Sequence, residues 1–202
     1  MRRFASIALL PCLFSLQCIV FPNYEFSIGK TIETSNTEPK VILIAYTQSV
    51  KIGEDDRKDI DESNRKNSEE RLIRALKLHP KVKNVVTDPN EKYDIKLVVN
   101  LESYVSYYKS TLGMLFNALS FFTGTLLPFD VEQFSTFIFQ FSNEKTKTQA
   151  TITRMVYFHT WIGILTIPLM PFFGPGKKAD EAFKNASHSA LEEAFEKQPK
   201  IF

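Results

Sequence analysis

Two cysteines, three histidines and one dense run of carboxylates are the residues through which this chain of 202 residues could do chemistry. The cysteines, Cys12 and Cys18, both fall in the opening stretch "MRRFASIALLPCLFSLQC". Everything after Cys18 is free of cysteine, so it has no disulfide, no thiol nucleophile and no cysteine metal site, and must fold on its apolar core. His79 precedes Pro80 at an expected helix end, His159 stands beside Trp161, and His188 lies in the last expected helix. No two of them have metal-ligand spacing on one element, whereas a zinc site needs three or four converging ligands. Glu54, Asp55, Asp56, Asp59, Asp61 and Glu62 are dense enough to suggest a calcium loop, but the glycine and closing glutamate of that loop are missing. Arg57, Lys58, Arg65 and Lys66 interleave with them, so a solvated charged loop is expected. The chain has no G-x-S-x-G elbow, phosphate loop or dinucleotide fingerprint, and "FFGPGKK" reads as a turn. These absences predict no catalytic residues, no metal, no cofactor and a chain that is not an enzyme.

The chemistry that remains is at the start. Arg2 and Arg3 precede an uncharged run from Phe4 to Leu16, the layout of an export signal, and that run is shorter than the ~20 apolar residues of a spanning helix. An ordinary signal peptidase wants small residues before its cut, and Phe14, Leu16 and Gln17 surround Ser15 instead. The segment "SLQC" resembles the lipobox of bacterial lipoproteins, in which a leucine, two small residues and a cysteine mark the cut and the acylated thiol. Here the leucine is Leu16, one place late, and Gln17 replaces the usual small residue, a relaxed form similar to that of spirochaete lipoproteins. The resemblance implies a signal peptide over 1–17, acylation of Cys18, and attachment to membrane lipid through it. Cys12, directly after Pro11, is unlike a processed site. The alternative is an uncleaved anchor from Phe4 to Phe21; both readings end at a membrane. Loss of Arg2 and Arg3 takes the formal charge from +2 to zero, which leaves no basic excess for nucleic acid.

The elements downstream predict one α+β domain over 39–202 after a lipidated tether over 18–38. "KVILIAYTQSV" reads as a strand buried on both faces. A helix is expected from near Ser68, with Leu72, Ile73 and Leu76 on one face, ended by Pro80. Ile95, Leu97, Val99, Leu101 and Val105 alternate with polar residues, and "STFIFQFS" and "TQATITRMVYF" flank "NEKTK" as a hairpin. Phe183, Ala186, Ala190, Leu191 and Ala194 form the stripe of a last amphipathic helix, with Asp180 as its expected cap. The sum is an antiparallel or mixed sheet of about four strands with two helices on one face.

Two apolar runs stand apart. Residues 111–129 carry no charge, close to the ~20 residues that span a bilayer, although Gly113, Asn117, Gly124 and Pro128 weaken a lone spanning helix. Residues 161–175 hold three prolines, at ~3 kcal/mol each inside a helix, which argues against a second span. Either both runs are core, or they form a membrane-dipping or partner surface in which Phe116, Phe121, Phe122, Trp161, Phe172 and Phe173 sit at the interface. "LSFFTGTLLPF" and "YFHTWIGILTIPLMPF" are similar to segments of uncharacterised cell-envelope lipoproteins, a resemblance that supplies no catalytic residue. The order of elements is also similar in outline to lipoproteins that activate peptidoglycan synthases or assemble secretion pores. Two functions are therefore expected: a non-enzymatic, lipid-anchored binding or scaffold protein of the bacterial envelope (outer membrane or periplasm-facing) with envelope protein partners, or a subunit of an oligomeric export or pore complex that inserts 111–129.

Overall fold

A computed structural model of the protein describes residues 18–27, 38–52, 58–106, 129–162 and 170–201. The strands are β1 (Cys18–Tyr24), β2 (Lys40–Ile52), β3 (Lys58–Asp59), β4 (Val82–Val86), β5 (Ile95–Ser106), β6 (Phe129–Asn143) and β7 (Thr148–Ile162). The helices are α1 (Glu62–Lys77), the single turn α2 (Met170–Phe173) and α3 (Pro175–Lys197). Phe116, Phe121 and Phe122 lie outside the described residues.

Period-two patterning builds the centre of the sheet. Antiparallel pairing of β5 with β6 sets Leu97 opposite Phe141, Val99 opposite Phe139 and Leu101 opposite Phe137. Because alternate side chains share a face, the three phenylalanines turn to the same side, where each is at most 1% exposed. Their rings stack along the strand with centroids 6.1 and 6.5 Å apart. The expected hairpin is β6–β7, in register from Asn143 opposite Thr148 to Phe129 opposite Ile162.

The sheet is wider than expected. It holds seven strands in the order β1-β7-β6-β5-β2-β3, with β4 also on β2, so it is mixed α+β as expected but not four-stranded. β3 and β4 share the last column: β4 pairs with Lys40 to Leu43 and β3 with Ser49 and Val50. β2 is parallel to both β4 and β5, and its buried-on-both-faces reading holds only at Ile42, Leu43 and Ile44. Parallel neighbours require a crossover, which α1 supplies. The main surprise is at the start. The expected tether over 18–38 begins instead as a full strand, β1, paired along its whole length with β7. Its residues lack a sustained alternation, and only the free edge of β7 makes them a strand.

Two helix starts also move. α1 begins at Glu62 and not near Ser68, because the Asp61 carboxylate accepts the backbone N–H groups of Ser63 at 2.9 Å and Asn64 at 3.2 Å. α3 begins at Pro175, where a missing N–H costs nothing, with Gly174 as its cap. Asp180 is thus inside the helix, and its carboxylate accepts from Arg71 of α1 at 2.7 Å.

Both long helices cover one face of the sheet. Ala182, Ala186, Ala190 and Ala194 are fully buried, and their small side chains let α3 approach the phenylalanine face. Phe183 meets Phe137 edge-on at 5.1 Å. An ion pair sits in this interface: Arg154 of β7 donates to Ser189 Oγ at 3.0 Å, to the Ser189 carbonyl at 3.2 Å and to Glu193. Arg154→Met keeps the aliphatic stem and removes charged hydrogen bonds, so it is expected to lower unfolding stability by about 1.5–3 kcal/mol. Urea titration beside Lys197→Met, an exposed partner of Glu193 expected to cost less than ~1 kcal/mol, checks this.

Candidate functional site

Cys18, the residue with the clearest expected chemistry, is the first residue of β1 and stands in register with Ile162. Ile162 in turn stands opposite Phe129. These three positions form one row across the end of the sheet, and Ser106, the last residue of β5, is three rows in, opposite Glu132. Residues 107–128 leave from Ser106 and return at Phe129, while 163–169 leave from Ile162 and return at Met170. The pairing therefore brings the expected acylation site and one end of each apolar run, Phe129 and Trp161, to the same edge of the sheet. Trp161 lies in the next row, between Ile19 and Asp130.

Aromatic residues gather behind this end. Phe172 is 71% exposed, and Phe173 packs on Phe21 of β1 with ring centroids 5.0 Å apart. On the sheet face away from the helices, Tyr104, Phe134 and Tyr157 stand side by side in register. Their rings are 4.8 and 6.0 Å apart. The opposite end of the sheet is unlike this one. There Tyr93 donates to Glu144 at 3.0 Å, Lys145 faces Asp94 at 4.0 Å, and the Asp94 carboxylate accepts the Val41 N–H at 3.0 Å. Charged contacts therefore mark that end, while at the Cys18 end the aromatic residues stand beside charged ones, Lys178 over the Phe173 ring and Glu181 paired with Lys178.

Under the helices, toward the end that carries Cys18, is a cavity of about 360 Å³. It lies between the sheet and the first halves of α1 and α3, where Ser68, Pro175, Ala179 and Phe183 form the roof. Its floor runs inward by register from Val20 and Thr160, through Gln133 and Phe158, to Ser135 and Ser103, and ends at Phe137 and Leu101. The Ser103 and Ser135 hydroxyls bond each other at 3.0 Å, and Gln48 Oε1 accepts from the Tyr46 hydroxyl at 3.0 Å. Burial holds the Tyr46 hydroxyl well above its usual range. None of the described lining residues is charged. Sequence reasoning missed this cavity, although a signal was present: Ser103, Gln133 and Ser135 are small or polar residues at inward positions of otherwise apolar strands.

The histidines are also rearranged. His79 and His188, 109 positions apart, meet edge-to-face with centroids 4.9 Å apart. His79 Nδ1 accepts the Lys81 N–H at 3.3 Å, and His188 Nε2 stands 2.9 Å from the Ala75 carbonyl, to which it donates. Burial, with His188 and Lys81 adding to it, lowers the His79 pKa to about 4. His159 is in β7, in register with Phe21 and Glu132. Among the described residues no three or more His, Cys, Asp or Glu side chains gather as a metal site. No described helix is long and apolar enough to cross a membrane.

No protein-family model and no curated protein matches the chain. Among solved structures it is similar to a PelC dodecamer from Paraburkholderia phytofirmans, at 10% identity and TM-score 0.40, covering 86% of this chain and 96% of that one. A second crystal form of a PelC dodecamer from the same organism matches at TM-score 0.39 with the same identity and coverage. Protein XCC0632 from Xanthomonas campestris, of family DUF330, matches at 12% identity and TM-score 0.30 over 60% of this chain and 69% of that one.

Proposed function

We propose that this protein is a lipid-anchored, non-enzymatic binding or scaffold protein of the bacterial cell envelope, held on the membrane through acylated Cys18 with the Cys18 end of its sheet toward the bilayer. The observation that carries this reading is the shared row of Cys18, Ile162 and Phe129, which sets the proposed acylation site beside one end of each uncharged run. A lipid at Cys18 has almost no tether, because β1 starts at that residue. The domain is then held flush with the membrane, with Phe129 and Ile162 in the row nearest to it. Trp161 is of the type that gathers in the interfacial zone, and the exposed ring of Phe172, beside Phe173, suits its apolar side. The end that carries the Tyr93–Glu144 and Asp94–Lys145 contacts then faces away from the bilayer, toward envelope protein partners.

Metabolic labelling with palmitate is expected to mark the wild-type chain, and Cys18→Ala to abolish the mark and move most of the protein from the membrane to the soluble fraction. An unlabelled wild-type protein that keeps its N-terminal methionine would sink the reading in favour of the uncleaved anchor.

A further inference from the structure

We propose that the cavity between the sheet and the first halves of α1 and α3 takes up a single lipid acyl chain, entering from the Cys18 end. The depth along β7 from Thr160 to Arg154, the residue opposite Phe137, is six residues or roughly 20 Å. Half the hydrocarbon thickness of a bilayer is about 15 Å, so one chain fits lengthwise. Dividing 360 Å³ by that depth leaves a bore roughly 5 Å across, close to one carbon chain at a contact distance of ~4 Å.

The deep end of the lining suits the same chemistry: Phe137, Leu101 and Phe183 supply apolar walls there. Around the middle Ser103 bonds to Ser135 and Gln48 Oε1 accepts from Tyr46, and none of the described lining residues is charged, so nothing there calls for a charged occupant. Thr160 and Gln133 stand in the outer rows, where the ester or glycerol end of a lipid would stop. The direction of entry rests on the membrane-facing reading of this sheet end; the lining does not depend on it.

The chain could come from a free membrane lipid or from the acyl group on Cys18, and the test separates them. Full-length protein in neutral detergent is transferred to phosphatidylglycerol vesicles whose acyl chain ends in a diazirine, irradiated, and its peptides are mapped by mass spectrometry. Adducts are expected on residues 133–137 and 179–183. Ala179→Phe, which fills the bore, should reduce them at least tenfold while adducts on 161–175 persist; Thr160→Trp, which narrows the entrance, serves if the first variant unfolds. A second arm feeds diazirine palmitate to cells and irradiates lipid-free purified protein, so that adducts on the same peptides report the protein's own anchor. Adducts on the lining in either arm support the proposal and name the source. Adducts confined to residues outside the lining in both arms, or undiminished in a folded Ala179→Phe variant, overturn it. If Cys18→Ala and wild type give the same vesicle adducts and neither takes up palmitate, the anchor fails but the cavity reading stands.

Discussion

Phe139→Ala is expected to lower the unfolding free energy by about 3–5 kcal/mol, the usual cost of emptying a buried aromatic site. Phe139 is fully buried, with Val99 and Ile152 as its cross-strand neighbours and Phe137 and Phe141 stacked on either side. None of these neighbours can collapse into the space, because each is held in register by the ladder on both sides. For a domain of this size such a loss lowers the melting temperature by ~6–20 °C. Thr153→Ala, at an exposed position of β7, is the control and should change stability by no more than ~0.5 kcal/mol. Equal effects at the two positions, measured by calorimetry, would mean that the phenylalanine row is not the core.

The second large effect is on pH dependence. His79 is 1% exposed, and its Nδ1 must stay unprotonated to accept the Lys81 N–H. Its folded pKa of about 4 is below the ordinary value of 6.5. The unfolded chain therefore takes up the proton first as pH falls, and linkage makes stability fall with it. The contribution is complete above about pH 6.5, is lost progressively below that, and is exhausted below about pH 4. The full shift is worth about 3 kcal/mol. The groups that bear on the ring besides the burial are His188 and Lys81, and both oppose protonation. His188 is itself held below its usual range, chiefly by burial. His79→Asn keeps an acceptor near the Nδ1 position and removes the titration. Its urea unfolding free energy should fall about 2–3 kcal/mol less than that of wild type between pH 7.5 and pH 4.5. Parallel pH profiles for the two proteins would show that His79 is not the acid-sensitive group.

The predicted elements that came through were those with a local physical cause. The alternation in β5 and β6, the turn at "NEKTK" and the alanine stripe of α3 each state a period, and period alone decides which face is buried. The errors came where a local pattern was absent or where a partner distant in sequence decided. In the sequence Asp61 is one carboxylate among many; in the fold it is a cap because the chain turns into a helix directly after it. Asp180 has the position of a cap in the sequence, and is an ion-pair partner because α1 passes beside it. Residues 18–24 carry no strand pattern, and become a strand only because β7 offers an unpaired edge.

The sequence by itself determined the chemistry available to this protein: two cysteines confined to the start, three histidines, two uncharged runs, and the strand and helix periods of an α+β fold. Such properties follow from composition and period, which need no knowledge of what lies across space. Only the tertiary structure decided placement. Strand register aligned Cys18 with Ile162 and Phe129, brought His79 to His188, and left a cavity where Ser103, Ser135 and Gln133 interrupt the apolar face. Those pairings join residues up to 144 positions apart (162 minus 18), and their geometry is set by hydrogen-bonded strands and packed helices, which no local stretch of the chain encodes alone.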